Sequence, residues 1–291
     1  MNPNQPLVTI GIPTYNRAAL LKRSIESALN QHYQNIEVIV SDNASTDGTE
    51  SVCRYYSGKD TRLKYIHHSK NRGPTANFID VLKNASGYFF MWLGDDDWID
   101  QGYVTACVKE LMLDKHLALV SGVPRYYKNG QSAYVGYVFN LSYDSAWERV
   151  IAYYLKVKDN GTFYGLMRTA QLQQIEMRNT MGGDWLLIAS IIFMGKSKVV
   201  FEISVHRELG GATLSFRKIA NSLGLPKFQE IFPMTSVAIG ACMDIVIRNS
   251  VYRSQPAIKR WAAGIVAFFA VLVNAAFGYL KAAIRRFRKN R

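Results

Sequence analysis

Three short segments rich in polar and acidic side chains contain the residues of this sequence that are best suited to ligand binding or catalysis. Each follows an apolar run typical of a buried strand. In such segments an aromatic ring can stack on a nucleobase, a carboxylate can accept hydrogen bonds from a base or ribose, and neighbouring carboxylates can hold a divalent cation against a diphosphate. The segments are Pro13-Thr14-Tyr15-Asn16-Arg17, Ser41-Asp42-Asn43-Ala44-Ser45-Thr46-Asp47-Gly48-Thr49 and Gly94-Asp95-Asp96-Asp97-Trp98.

The third segment contains three consecutive aspartates, Asp95, Asp96 and Asp97. Adjacent carboxylates repel each other, and burying one is costly without a counter-ion. A bound Mg²⁺ or Mn²⁺ would supply that charge, because hard cations take oxygen ligands. The alternative is a solvated acidic turn that caps the helix starting near Asp100. The DDxxD pattern beginning at Asp96 resembles that of prenyl synthases, but here it follows a strand instead of lying on a helix.

The elements that must position these segments form an α/β pattern. Residues 7–203 alternate apolar and amphipathic runs, which predicts a mostly parallel central sheet flanked by helices. Because the carboxyl ends of parallel strands meet at one rim, the three segments should share one crevice. The predicted strands are Leu7–Ile12, Glu37–Ser41, Leu63–His67, Tyr88–Leu93, Leu117–Val123, Thr162–Arg168 and Lys198–Ile203, and the predicted helices include Ala18–Asn30, Thr49–Tyr56, Thr75–Lys83, Tyr103–Leu113 and Trp185–Met194.

Composition excludes several classes of protein. The chain has 291 residues, of which 48% are hydrophobic and 20% charged, so it is neither disordered nor collagen-like. Its net charge of +13 is concentrated in residues 245–291, which hold ten Lys or Arg and no acid, leaving +3 for the rest. Nucleic acid is therefore not an expected partner. Three cysteines at no metal spacing and the lack of a secretory signal in the first 30 residues indicate a cytosolic location.

Together the motifs resemble the donor-binding half of family 2 glycosyltransferases, which have the Rossmann-like GT-A fold. The resemblance runs from about Leu7 to Leu113 in matching order and spacing. It implies an inverting transfer of a sugar from a nucleotide-diphosphate sugar to an acceptor hydroxyl, with Mn²⁺ or Mg²⁺ as cofactor. The Gln-x-x-Arg-Trp signature of processive synthases is absent, which favours transfer of a single sugar. The matching stretches are VTIGIPTYNRAALLKRSIESALNQ, IEVIVSDNASTDGTE and NRGPTANFIDVLKNASGYFFMWLGDDDW.

The resemblance assigns donor-binding roles to individual positions. Pro13 and Tyr15 would line the nucleobase and ribose, and Asp42 would bind the base. Arg72, in an Asn-Arg-Gly loop, would lie near the donor. These positions predict a nucleotide site at the rim of the sheet.

The same resemblance assigns roles to the residues of the acidic loop, Gly94-Asp95-Asp96-Asp97-Trp98. Asp97 would be the direct metal ligand, and Asp96 would face the ribose or the sugar. Many members have an earlier aspartate where this chain has Gly94, and Asp95 occupies the spacer position. Asp95 is therefore a further candidate metal ligand.

The stretch 206–215 resembles a family loop that closes over the donor. His206 would complete the metal shell or touch the diphosphate, and Arg207 would pair with a phosphate. The alternative for His206 is a purely structural role at the end of a strand.

The acceptor half should supply a general base, which the family often takes from a Glu-Asp pair at the start of a helix. Gly182-Gly183-Asp184 resembles that position with the Glu replaced by Gly, so Asp184 is the predicted base. Its alternative role is the N-cap of helix Trp185–Met194. The aromatic-rich residues 124–145 are expected to form an inserted hairpin or lid, either a packing flap or a loop that contacts the acceptor.

Residues 261–280 contain no charge, and as a helix they would be about 30 Å long. If they crossed the bilayer, the basic residues 281–291 would lie outside the cell, against the positive-inside tendency. We therefore expect monotopic attachment to the cytoplasmic leaflet of the cell membrane. The alternative is a buried helix through which copies of the chain form a homo-oligomer.

The predicted organisation is a GT-A domain over residues 1–215 and a helical, basic, membrane-associating region over 216–291. Within the domain, residues 1–113 would bind the nucleotide sugar and residues 114–215 the acceptor, a glycan or lipid-linked intermediate of surface polysaccharide synthesis. Two other functions stay open. One is a nucleotidyltransferase, although no Gly-rich basic loop follows the first strand. The other is a non-catalytic protein that binds membrane or nucleic acid.

Overall fold

A computed structural model describes residues 5–209 and 215–289. Its N-terminal half is the parallel part of the sheet, with strand order β3-β2-β1-β4. Strands β1 and β2 are mostly apolar and are buried along their whole length. The elements are β1 Val8–Thr14, α1 Ala18–Leu29, β2 Ile36–Asp42, α2 Thr49–Lys59, β3 Leu63–His67, α3 Pro74–Lys83 and β4 Phe89–Trp92.

The second half makes the sheet mixed. Strand β8 runs antiparallel to both β4 and β6, whereas β6 and β9 are parallel, so the prediction of a mostly parallel sheet describes the first half best. The full order in the described residues is β3-β2-β1-β4-β8-β6-β9-β5, with β7 paired to β6. The elements are β5 Trp98–Ile99, α4 Tyr103–Leu113, β6 Leu117–Lys128, β7 Gln131–Val135, α5 Ala146–Lys156, β8 Leu166–Arg168, α6 Thr169–Leu172, α7 Gly183–Met194 and β9 Lys196–Glu208.

The predicted hairpin within residues 124–145 is formed by β6 and β7. Its turn is Asn129-Gly130, and both residues have positive φ angles of 51° and 75°. Such a pair suits the right-handed twist of the flanking strands. The rings of Tyr126 and Tyr134 stack across the hairpin at 4.4 Å, so this flap is held by aromatic packing.

The C-terminal helices pack against the sheet domain. Ala238, Ala267 and Val271 are fully buried and belong to the same hydrophobic core as the strands. A Cβ atom on Gly264 would lie 2.6 Å from Val246 Cγ2, so a small residue lets the last helix approach closely. The elements are α8 Phe216–Ser222, α9 Lys227–Ile231, α10 Pro233–Met243, a π-helical turn Asp244–Arg248, a 3₁₀ turn Ser250–Ser254 and α11 Ala257–Lys289.

Candidate active site

The three polar segments meet at one rim of the sheet. Thr14 lies opposite Asp42 in the β1–β2 register. The amide of Asn77 on α3 donates to the carbonyl oxygens of Thr14 at 3.1 Å and Ser41 at 2.9 Å. The Thr14 hydroxyl donates to Asp95 Oδ2 at 2.8 Å. The crevice predicted from the topology is therefore formed by side chains that contact each other.

The mouth of this crevice presents an exposed aromatic ring. Tyr15 is 43% exposed, whereas Pro13 is buried within β1. The loop that carries Tyr15 is fixed by its neighbour, because the backbone N–H of Asn16 donates to Ser45 Oγ and Asn16 Oδ1 accepts from the N–H of Thr46, both at 2.8 Å. A ring held on a fixed loop and open to solvent is suited to stacking on a base.

Asp42 is fully buried and held by three donors. Its Oδ1 accepts from the N–H of Ser45 at 2.9 Å, and its Oδ2 lies 3.0 Å from the Tyr65 hydroxyl and 3.3 Å from His67 Nδ1. Burial, together with this hydrogen bond, raises the pKa of Tyr65. A carboxylate offers about four acceptor positions, so Asp42 keeps capacity for a donor from a nucleobase.

Arg72 lies at the edge of the crevice and faces α3. Its guanidinium pairs with Asp80 and lies 3.1 Å from His68 Nδ1. Its backbone N–H donates to Asn43 Oδ1 at 2.9 Å, which anchors the loop to the β2 end. In this arrangement the charge of Arg72 is directed to Asp80, so the predicted contact with a donor would require the pair to open.

The acidic loop contains two carboxylates in unfavourable surroundings. Burial and the neighbouring charge of Asp96 together raise the pKa of Asp95 to about 7. Burial also raises the pKa of Asp97 to about 6, although the Arg207 guanidinium opposes that shift. Asp96 is paired with Arg17 at 3.8 Å. A divalent cation would stabilise buried carboxylates such as these, whose negative charge is only partly balanced by neighbouring groups.

Gly94 leaves room for the carboxylates that follow it. A Cβ atom there would lie 2.6 Å from Asp97 Oδ2 and 3.3 Å from Asp96 Oδ1. A side chain at this position would therefore require the ends of these aspartate side chains to shift.

His206 is engaged by protein groups on both ring nitrogens. Its Nε2 lies 2.7 Å from Asp100 Oδ1, its Nδ1 lies 3.0 Å from the Tyr127 hydroxyl, and its ring stacks on Trp98. This geometry supports the structural alternative and leaves neither nitrogen directed at a metal. Of the predicted closing loop, residues 210–214 lie outside the described residues.

Arg207 connects the acidic loop to the interior of the protein. Its Nε lies 3.4 Å from Asp97 Oδ2, and the backbone N–H of Glu208 donates to Asp97 Oδ1 at 3.1 Å. Its remaining guanidinium nitrogens donate to the hydroxyls of Tyr126 at 3.1 Å and Tyr164 at 3.3 Å. The cation is thus fixed beside the predicted metal ligand, where a diphosphate would also lie.

Asp184 lies in the first turn of α7. The N-cap is Gly182, with φ of 70°, so the alternative in which Asp184 caps the helix is wrong. A Cβ atom on Gly183 would lie 2.3 Å from the carbonyl oxygen of Arg178. The glutamate that often precedes this aspartate cannot be accommodated there, which accounts for the glycine.

Asn160, which the sequence analysis did not identify, contacts the predicted base. Its amide Nδ2 donates to Asp184 Oδ2 at 2.8 Å, and its Oδ1 accepts from the Tyr153 hydroxyl at 2.7 Å. Asn160 is 4% exposed and has a left-handed φ of 47°. Burial raises the pKa of Asp184, while the Asn160 amide lowers it. The signal in the sequence was the Asp-Asn-Gly turn at 159–161.

One cavity of about 860 Å³ includes both Asp184 and Arg207 in its lining. Arg207 also contacts Asp97, so one side chain links the cavity of the predicted base to the acidic loop, although Asp95, Asp96 and Asp97 are not among the cavity's lining residues. In the part of the chain that the structure describes, no three His, Cys, Asp or Glu side chains form a ready cation site. A cation held by one or two carboxylates and completed by substrate phosphates fits this donor set.

Comparison with known proteins identifies relatives over much of the chain. The glycosyltransferase GlyA of Streptococcus pneumoniae is 31% identical over 176 residues, which are 60% of this chain and 24% of that protein. The GalNAc(5)-diNAcBac-PP-undecaprenol beta-1,3-glucosyltransferase of Campylobacter jejuni is 36% identical over 36% of this chain and 34% of its own. The hyaluronan synthase of Pasteurella multocida is 30% identical over 74% of this chain and 22% of its own. The chain thus matches about a quarter to a third of these relatives' lengths.

Solved structures share the fold at low identity. The Staphylococcus aureus TarS fragment 1–349 has a TM-score of 0.54 at 18% identity, covering 91% of this chain and 80% of that one. A second structure is the mannosyltransferase PcManGT of Pyrobaculum calidifontis in complex with GDP-Man and Mn²⁺. It has a TM-score of 0.55 at 17% identity, and the match covers 96% of this chain and 80% of that one. Residues 9–176, more than half of the chain, match the sequence model of glycosyl transferase family 2. The chain therefore belongs to glycosyl transferase family 2.

Proposed function

We propose that this protein transfers one sugar, with inversion, from a nucleoside-diphosphate sugar to an acceptor hydroxyl in surface polysaccharide synthesis. The observation that carries the proposal is that Arg207 contacts Asp97 and also lines the cavity that contains Asp184. A donor phosphate and an acceptor hydroxyl can therefore be bound side by side. The experiment that tests it is a panel of nucleotide sugars, screened with Mn²⁺ for thermal stabilisation and for release of the nucleoside diphosphate.

The donor would lie along the rim. Tyr15 would stack on the base, Asp42 would accept from it, and Asp96 would face the ribose or the sugar. Asp97, with Asp95 as a further ligand, would hold Mn²⁺ or Mg²⁺, which supplies positive charge to the departing diphosphate. Arg207 supports the same charge from the protein side. His206 has no place in this proposed metal shell, because both of its ring nitrogens have protein partners.

Asp184 would act as the general base. It takes the proton from the acceptor hydroxyl while the oxygen attacks the anomeric carbon, and the bond from that carbon to the diphosphate oxygen breaks on the opposite face. Only the ionised carboxylate can accept the proton. Groups that lower the pKa of Asp184 therefore favour the active form near neutral pH; they are the Asn160 amide, the backbone N–H groups of Trp185 and Asp184, and the charge of Arg207.

The substitution Asn160→Ala tests this dependence on protonation. Because the variant loses a hydrogen bond that lowers the pKa of Asp184, the acidic limb of the kcat–pH profile should move to higher pH. Activity should be lost first on the acidic side and recover as the pH rises. The control Tyr153→Phe keeps the amide and should shift the limb less. A lowered plateau with an unmoved limb would mean that Asn160 is only structural.

Membrane attachment would use the outward face of α11, the one described helix long and apolar enough to cross a membrane. Its exposed apolar side chains recur every three to four residues, giving one continuous stripe. The opposite face is occupied by the protein. The stripe consists of Trp261, Ile265, Phe269, Val273, Phe277 and Leu280.

The packing of α11 supports an orientation along the membrane surface. Arg260 Nη1 donates to the carbonyl oxygen of Val246 at 2.8 Å, and Asn274 Nδ2 donates to that of Val157 at 2.7 Å. The helix is thus attached to the domain over 14 residues, or about 21 Å. If α11 crossed the bilayer, the attached part of the domain would enter the hydrocarbon core. That part contains the buried Asp244 and its ion pair with Arg178. We propose monotopic binding to the cytoplasmic leaflet.

Substituting the stripe is a cleaner test than deleting α11, because deletion would uncover the core around Val271. The triple variant with Trp261, Ile265 and Phe269 changed to Gln should bind anionic vesicles at least about tenfold more weakly in a flotation assay, since about 0.8 kcal/mol is lost per buried methylene. The control changes exposed apolar residues elsewhere to Gln, namely Tyr88, Leu113 and Phe201. Equal flotation of both variants and the unmodified protein would exclude α11 as the anchor.

A further inference from the structure

The cavity beside Asp184 extends well beyond the groups needed for chemistry. Its charged groups, among them Asp184 and Arg207, all precede the C-terminal helices. The walls contributed by α8 and α10 are mostly apolar: Phe216 and Ile219 come from α8 beside Ser222, and Met234 and Val237 come from α10. A site with one polar and one apolar region fits a ligand with the same division.

Helix α11 forms the remaining wall and also carries the exposed stripe. Asn274, Ala275, Gly278 and Tyr279 line the cavity; Asn274 is buried, whereas Gly278 and Tyr279 lie at the solvent-exposed rim. Phe277 and Leu280, on the stripe, are 58% and 57% exposed. The apolar wall of the cavity and the proposed membrane-binding surface therefore meet at the same two turns of one helix.

We propose that the apolar wall of this cavity binds the hydrocarbon chain of a lipid-linked acceptor, with the chain entering from the membrane along α11 and the acceptor hydroxyl at Asp184. The inference rests on the proposed transferase function and narrows its acceptor to one class. The side chains of Phe216, Ile219, Met234 and Val237 offer no hydrogen-bonding partners to the hydroxyls of a free glycan, whereas a hydrocarbon chain needs none.

Gly278 offers a direct test of the chain site. A Cβ atom there meets nothing within 4 Å, so Gly278→Leu has open space for its first side-chain atom at the cavity wall, and leucine favours a helix more than glycine does. Ala276 is exposed, is absent from the cavity lining and lies two positions away on the same helix. The matched control is therefore Ala276→Leu.

The experiment uses the full chain in amphipol and measures binding of isopentenyl, geranyl and farnesyl phosphate by titration calorimetry, with inorganic phosphate as the chain-free probe. Affinity should rise with chain length, by up to about fourfold per buried methylene, and inorganic phosphate should bind weakest. Gly278→Leu should reduce the affinity for farnesyl phosphate at least about tenfold, while Ala276→Leu should leave it unchanged.

Several results would overturn the inference. Equal affinity for all chain lengths would show that only the phosphate is bound. If both variants lost affinity for farnesyl phosphate equally, or if neither lost any, the chain would be adsorbed to the exposed stripe and not bound in the cavity. If light scattering showed a dimer of the unmodified protein that Gly278→Leu dissociates, a second copy would be the occupant. Stabilisation of the unmodified protein by a nucleotide sugar and Mn²⁺, measured separately, reports whether the proposed function itself has failed.

Discussion

The substitution Asp184→Asn is expected to lower the rate of sugar transfer by about 10²- to 10⁴-fold, the range that a positioned general base contributes. Asparagine has nearly the same shape and can still accept the hydrogen bond from Asn160, so the fold and the cavity should be preserved. It cannot take up the proton of the acceptor hydroxyl. Donor affinity should stay at its original value, because the proposed donor site lies at the acidic loop.

Asp159 provides the matched control for Asp184. It is a second carboxylate in the lining of the same cavity, and it accepts from the backbone N–H groups of Gly161 and Tyr137 at 3.3 and 3.4 Å. The variant Asp159→Asn should transfer sugar at close to the original rate. If Asp159→Asn abolished transfer and Asp184→Asn did not, the base would have been assigned to the wrong carboxylate.

The second large effect is expected at Asp97. The substitution Asp97→Asn should remove the stabilisation that a nucleotide sugar gives in the presence of Mn²⁺ and lower turnover at least about 10²-fold, because a neutral amide is a poor ligand for a hard cation and cannot balance its charge. Asparagine keeps the volume of the side chain, so Arg207 is not left beside a void. Thermal shift with and without Mn²⁺ measures the loss.

Two further variants sharpen the assignment of the acidic loop. Asp95→Asn should weaken Mn²⁺-dependent stabilisation less than Asp97→Asn, since the Thr14 hydroxyl already holds one of its oxygens. Asp114→Asn, at the far end of α4, should behave like the unmodified protein. A donor-induced shift that persists in Asp97→Asn and still needs Mn²⁺ would move the cation site away from Asp97.

The N-terminal half of the fold could be predicted from the sequence because its signals are local. Strands β1 and β2 contain short apolar runs, and the residues after them have the composition of loops. Parallel topology then places Thr14, Asp42 and Asp95 together without further information. The helix Tyr103–Leu113 has the predicted bounds.

The second half depends on contacts that local patterns do not show. Strand β8 has three residues, and its antiparallel pairing with β4 and β6 is set by tertiary packing. Asn160 belongs to an ordinary turn motif, and only the fold brings it to Asp184. His206 looked like a ligand because of its position in the chain, but Trp98 and Asp100 surround it in space.

The apolar run of helix α11 has two functions to explain, since one face packs into the domain and the other is exposed. Its apolar run was interpreted as a membrane segment, yet Gly264, Ala267 and Val271 recur at helical spacing on one face and pack into the domain core. Small residues on one face and large residues on the other were visible in the sequence. The region after residue 215 therefore shares a core with the sheet and also presents an apolar surface.

We propose that a nucleotide-sugar site at the acidic loop and a base at Asp184 form one metal-dependent transferase site. The most direct measurement is release of nucleoside diphosphate from a panel of nucleotide sugars by the full chain, in which water takes the place of the acceptor hydroxyl, with Mn²⁺ and with excess EDTA. We expect one donor to be turned over with Mn²⁺, with the reaction abolished by EDTA and by Asp97→Asn. Turnover of no donor, or full turnover in EDTA, would contradict the account.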